Sequence, residues 1–131
     1  MSQEKFETVR RYLAALNARD VDGYFACCTD DVVLVPATVA IEGEYRGRRG
    51  IERFFADLRD TAPDMVVEAE RLEAVGQNVL AFERGTASGR ASEVGAEIDF
   101  TTVYEFEGRK ISRVLVFLSR QSALQTVGLS E

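Results

Sequence analysis

The second half of this sequence carries four consecutive segments of strand character, about Met65–Val75, Val79–Arg90, Ala96–Glu107 and Lys110–Ser119. They are separated only by Gly76-Gln77-Asn78, Ala91–Gly95 and Gly108-Arg109, connections of hairpin length that leave no room for crossover helices. An antiparallel meander is predicted, and the rest of the chain must pack on one of its faces. In the third segment Phe100, Thr102, Tyr104 and Phe106 alternate with Asp99, Thr101, Val103 and Glu105. The more aromatic of these two faces is expected to meet the helices.

The first half reads differently. Val9, Tyr12, Leu13 and Leu16 recur at helical spacing, which predicts an amphipathic helix from about Ser2 to Arg19 with Tyr12 facing inward. Asp20 is a candidate N-cap for a short second helix carrying Val21, Tyr24, Phe25 and Cys28, ended by Thr29-Asp30-Asp31. A β-branched strand, Val32–Val35, follows. Ile51, Phe54, Phe55 and Leu58 predict a third helix that Pro63 closes. The tail from Arg120 to Leu129 is a short helix or a loop, ended by Gly128. Three helices and a curved sheet make an α+β domain, a cone-shaped α+β barrel enclosing a pocket. At 131 residues, 46% apolar and without a linker-like stretch, the chain is expected to be a single domain spanning residues 1–131.

Charge and residue inventory narrow the chemistry. With 16 basic and 22 acidic residues the net charge is −6, the wrong sign for binding nucleic acid or an anionic membrane. There is no histidine, which removes Ser-His and Cys-His catalysis and histidine-bearing zinc sites. Tyrosines, carboxylates, arginines and hydroxyls remain; neither a metal nor a cofactor is expected. The adjacent Cys27 and Cys28 are poorly placed to pair with each other and fit a reducing compartment. No signal pattern opens the chain and no run approaches the roughly 18 apolar residues of a membrane span. A cytoplasmic location is the expectation.

Three stretches resemble a known family. Val9–Gly23 with Asp30-Asp31-Val32 is similar to the first helix and turn of ketosteroid isomerase; Tyr45-Arg46-Gly47-Arg48-Arg49-Gly50-Ile51-Glu52-Arg53-Phe54-Phe55 resembles the family's entry to its third helix. Gly108–Val114 and Phe117-Leu118-Ser119-Arg120 resemble its last hairpin and exit. The resemblance is to the nuclear transport factor 2-like superfamily, in its ketosteroid isomerase and SnoaL-like polyketide cyclase branch, and runs from about Lys5 to Leu129. It implies a ligand cavity and a homodimer, but hosts many reactions. By the same resemblance Tyr12 stands where a tyrosine donates to the developing enolate. Pro36 occupies the place of the general base, and Thr102 that of a protonated aspartate. Ketosteroid isomerase activity itself is therefore not expected.

Other candidates follow from strand alternation. Phe82 matches a pocket-lining phenylalanine, which carries Arg84 and Thr86 to the cavity side, and Arg113 with Leu115 and Phe117 is read the same way on the last strand. Inward arginines would favour an anionic or carbonyl-rich ligand. Phe54 and Tyr104 are read as cavity wall. Asp99 is out of phase with Thr102 and enters the cavity only through a bulge, where it would serve as the missing base. Glu42 and Glu44 sit in a loop near the expected mouth. Two readings stay open: an enzyme (isomerase, cyclase or hydrolase) acting on a small apolar or oxygenated molecule, and a ligand-binding or dimeric assembly module without chemistry. A carboxyl group inside the cavity separates them, because acid–base catalysis without histidine needs one.

Overall fold

A computed structural model describes residues 2–36, 43–87 and 96–128. Four helices and six strands are defined among them, in the order α1 (Ser2–Asn17), α2 (Val21–Ala26), β1 (Cys28–Val35), β2 (Tyr45–Arg46), α3 (Gly47–Thr61), β3 (Val66–Val75), β4 (Asn78–Ala87), β5 (Ala96–Glu107), β6 (Lys110–Phe117) and α4 (Arg120–Thr126). The strands form one sheet in the order β2-β1-β6-β5-β4-β3. Every pairing is antiparallel except β1 with β6, so the predicted meander is present and a parallel strand extends it. The expected Ala91–Gly95 turn, Glu42 and Leu129 lie outside the described residues.

The helices form where the apolar spacing put them. Val9, Tyr12, Leu13 and Leu16 are the buried stripe of α1, and Ile51, Phe55 and Leu58 that of α3. Asp20 caps α2 by accepting from the Gly23 N–H at 3.0 Å. One boundary differs from the sequence reading: α2 ends at Ala26, and Cys28-Thr29-Asp30-Asp31 is strand, not helix end. Pairing overrides the local polar signal, because Cys28 lies opposite Ile111 and the Cys27 carbonyl accepts from the Ile111 N–H at 2.9 Å. The Gly47–Gly50 pair has a steric basis. Gly47 opens α3 at φ +62°, and a Cβ on Gly50 would stand 2.7 Å from the Tyr45 carbonyl carbon.

Two layers of apolar side chains sandwich the sheet. The inner core joins α1, α2 and α3 to Val67, Val79, Ala81, Tyr104, Ile111 and Val114. On the other face Leu80, Val103 and Leu115 are covered by Ala123 of α4, with Phe82 and Phe117 at the margin. Each large side chain buried in this way contributes roughly 1.5–3 kcal/mol.

The α3–β3 connection is tied to the end of α1. Arg19, in the left-handed region at φ 57°, donates to the carbonyls of Leu16, Ala62, Pro63 and Met65 at 2.8–3.2 Å. Asn17 brackets the backbone of Val67, donating to its carbonyl and accepting from its N–H, both at 2.9 Å. Asn17→Ala leaves two partly buried backbone groups without this partner and is expected to lower unfolding free energy by about 2 kcal/mol in a denaturant titration. The same change at exposed Arg109 is expected to stay within about 0.5 kcal/mol of wild type.

Candidate functional site

Between the helices and the inner face of the sheet lies a cavity of about 390 Å³. Its walls are mainly apolar: Leu13 and Leu16 from α1, Phe54 and Leu58 from α3, Val114 and Val116 from β6, with Leu34 and Pro36 at the end of β1. Among the described lining residues, side-chain oxygens enter from four elements: Tyr12 on α1, Thr61 at the end of α3, Glu83 on β4, and Thr102 with Tyr104 on β5. Among the described lining residues Glu83 is the one carboxylate, and no lysine or arginine accompanies it.

Glu83 is 5% exposed, and each of its carboxyl oxygens accepts a hydrogen bond. Thr102 donates to its Oε1 at 2.7 Å and Tyr104 to its Oε2 at 2.5 Å. Burial pushes its carboxyl up to about 7, against the opposing pull of the Tyr104 and Thr102 hydrogen bonds, which favour the charged form. A carboxyl held near neutrality in an apolar cavity can both take up and release a proton. Beside it the Tyr12 and Tyr24 hydroxyls are hydrogen-bonded to each other, and the Tyr12 ring meets the Tyr104 ring edge-on at 5.4 Å. Burial raises all three tyrosines well above their ordinary range, so they are neutral donors.

Sequence reasoning places some candidates on this cavity and misplaces others. Tyr12, Phe54, Thr102 and Tyr104 line it. Phe82, Arg84, Asp99, Arg113 and Phe117 do not. Phe82 and Phe117 belong to the cluster on the opposite face of the sheet, under α4. Arg84 reaches solvent and donates to Asp99 at 3.0 Å, with Glu70 and Glu97 nearby. Arg113 pairs with Glu105 at 3.5 Å on that same outer face. The phase was wrong for two reasons. On β4 the family match at Phe82 set the alternation one residue off. On β6 the register shifts between Glu105↔Arg113 and Phe106↔Ile111, so Ser112 is an extra residue that puts Val114 inward and Arg113 outward. No bulge interrupts β4 with β5, which leaves Asp99 outside. The expectation of an arginine-lined, anion-favouring pocket falls with these placements.

Glu83 is the residue the sequence reading missed, although a signal for it was present. Directly opposite residues of an antiparallel pair share a face. Arg84 and Asp99 are opposite and of opposite charge, a natural solvent-side pair that turns Glu83 inward with Phe100. Glu44, the loop carboxylate within the described residues, pairs with Arg46 and is not among the lining residues.

The described residues thus form an α+β cone around a mainly apolar cavity with one carboxyl, Glu83, in its lining. The SnoaL-like domain family matches residues 9–114, and the chain belongs to that family. An uncharacterised cystatin-fold protein from Novosphingobium aromaticivorans is 31% identical, over 86% of this chain and 97% of that one, with a TM-score of 0.70. TerC, co-crystallised with polyporic acid, is 19% identical over 95% of this chain and 98% of its own, with a TM-score of 0.78. A protein of ketosteroid isomerase-like fold from Catenulispora acidiphila, solved with trimethylamine, is 19% identical over 94% and 93%, with a TM-score of 0.75. Comparison with the curated proteins found none that matches. Among the described residues no helix is long and apolar enough to cross a membrane.

The raised carboxyl has a thermodynamic consequence. Folded Glu83 keeps its proton to about pH 7, whereas the unfolded chain releases it near 4.5. Its contribution to stability is therefore fully present below about pH 4.5 and is lost as pH rises through about 7. Between about pH 5 and about pH 8, wild type is expected to lose up to about 3 kcal/mol of unfolding free energy relative to Glu83→Gln, measured by urea denaturation.

Proposed function

We propose that the cavity binds a small, apolar, oxygenated molecule and moves a proton on it, with Glu83 carrying the proton. The observation that supports this most directly is a buried carboxyl, poised near neutral pH, in a cavity whose other walls are apolar. In the reaction envisaged, ionised Glu83 removes a proton from a carbon next to a carbonyl. The C–H bond breaks and its electrons pass to the carbonyl oxygen as an enolate. Where a C=C lies one carbon beyond, the electrons return through it and the protonated carboxyl gives its proton to the far carbon of that double bond, an isomerisation; where a second carbonyl is within reach, the enolate carbon attacks it and the carboxyl protonates the alkoxide formed, a ring closure. No oxidant or metal is required.

The developing oxygen charge needs a donor, and Tyr12 fits that role. Two hydroxyls share one hydrogen bond, and Tyr24 is not among the cavity-lining residues. With Tyr24 donating to Tyr12, the Tyr12 proton is left to point at a substrate oxygen. Thr102 is better read as a positioning residue, because its hydroxyl is committed to Glu83. Pro36 lines the cavity without a titratable group, so the carboxyl in this reading comes from β4 and not from the end of β1.

A second reading, ligand binding without turnover, draws on the same two hydrogen bonds to Glu83, which also suit a carboxyl that anchors a ligand. Solvent-deuterium exchange separates the two. A panel of small apolar ketones and diketones is incubated with the protein in heavy water and followed by NMR. Proton transfer predicts accelerated exchange at the carbon next to the carbonyl, with a rate that rises with pH and levels off above about 7. Glu83→Gln is expected to lower that rate by at least about a hundredfold, and Tyr12→Phe by about a hundredfold as well. Ketones that bind in the cavity yet exchange no faster than in buffer establish the binding reading instead.

A further inference from the structure

We propose that the cavity also accepts apolar ammonium ions, held against ionised Glu83, and that their binding expels the Glu83 proton. The inference rests on the reading of the cavity as the ligand site and adds a second ligand class to it. An ammonium so placed would compete with proton transfer, because it occupies the cavity and its charge lowers the basicity of the carboxylate it pairs with.

Three features of the cavity carry the argument. First, its charge is one-sided: Glu83 is an acid, and no basic side chain is among the described lining residues to repel a cation or to neutralise the carboxylate. Second, a carboxylate has about four acceptor positions, and Thr102 and Tyr104 occupy two. Among the described residues no further donor reaches the remaining lone pairs, so a bound cation offsets the cost of ionising a buried acid directly. Third, the aromatic rings of Tyr12, Phe54, Phe100 and Tyr104 line the same cavity. Aromatic faces attract cations most strongly where water is excluded. An anion meets the reverse: an acid, apolar walls and no cationic partner.

The coupling to protons is clean. Among the described residues the titratable groups coupled to Glu83 are Tyr104 on β5 and Tyr24 on α2; Tyr12 on α1 lines the same cavity, and Cys28 at the start of β1 lies beside these tyrosines. Burial raises each tyrosine far above neutrality and pushes Cys28 up to about 12, so none of them changes charge near pH 7. The cavity-lining residues of β3, β6 and α3 are apolar apart from the Thr61 hydroxyl. Among the described lining residues Glu83 alone then titrates with the ligand.

Benzyltrimethylammonium and its uncharged isostere neopentylbenzene test the proposal, because neither titrates. Affinities are read by NMR titration of the wild-type protein across pH 5 to 8. The cation is expected to bind at least about tenfold tighter than the isostere at the upper end and to weaken by up to about tenfold per pH unit below about 7. Calorimetry of the cation in two buffers of different ionisation enthalpy, near pH 6, is expected to show release of up to one proton. That measurement uses wild type alone and stands even if Glu83→Gln folds poorly. A folded Glu83→Gln protein is expected to bind the cation without pH dependence, and benzylsulfonate is expected to bind neither protein. Equal affinity for cation and isostere, or cation binding with no proton released, overturns the proposal while leaving the cavity, and proton transfer within it, intact. Failure of both probes to bind overturns it together with the cavity as a ligand site.

Discussion

A carboxyl group taken out of water has to be hydrogen-bonded, neutral or paired, and the interior of this protein is arranged around one such group. Glu83 sits on a central strand with Thr102 and Tyr104 of the neighbouring strand donating to its two oxygens. Those donors are supplied by the register of β4 against β5, where Ala81 lies opposite Thr102 and Val79 opposite Tyr104. A one-residue slip would send Glu83 to the outer face and bring Arg84 into the apolar cavity. The pairing of the longest hairpin and the chemistry of the cavity are therefore the same constraint.

The outer face reports the other half of that constraint. Arg84 with Asp99 and Arg113 with Glu105 are cross-strand pairs in solvent, where each is worth little in stability. Their value is in specifying register, since the opposite assignment would bury unpaired charge. The bulge at Ser112 lets β6 serve both layers: Ile111 before it and Val114 after it face the inner core, while Leu115 packs under α4. The ties from Arg19 and Asn17 hold the α3–β3 connection, including the cavity-lining Ala62 and Met65, to the end of α1.

Membership of the SnoaL-like family accounts for the scaffold and leaves the chemistry to individual side chains. Where the ketosteroid isomerase resemblance points to a base at the end of the first strand, this chain has Pro36, and where it points to a titrating aspartate, it has Thr102. The acid of this cavity is on β4 instead, and Thr102 has become one of its donors. A cavity walled by several strands tolerates such relocation, because side chains from each of them reach the same volume.

Much of the fold was legible in the sequence because local periodicity determines it. The stripe Val9, Tyr12, Leu13, Leu16 can bury itself only as a helix, the hairpin-length connections of the second half admit only antiparallel neighbours, and the alternation Phe100, Thr102, Tyr104 settles which side of β5 faces α1–α3. Tyr12, Phe54, Thr102 and Tyr104 could be placed on the cavity from that information together with the family resemblance. The one carboxyl among the described lining residues is not placed by periodicity; only the cross-strand pairing of Arg84 with Asp99 points Glu83 inward. Which face a β4 residue occupies depends on register across strands and, on β6, on a single bulge, and neither leaves a mark in the periodicity of one segment. The state of Glu83 is further removed from sequence still. A carboxylate beside an arginine in the chain reads as a solvated pair, and it becomes a buried acid near neutrality only when the tertiary fold removes its water and supplies Thr102 and Tyr104 in its place.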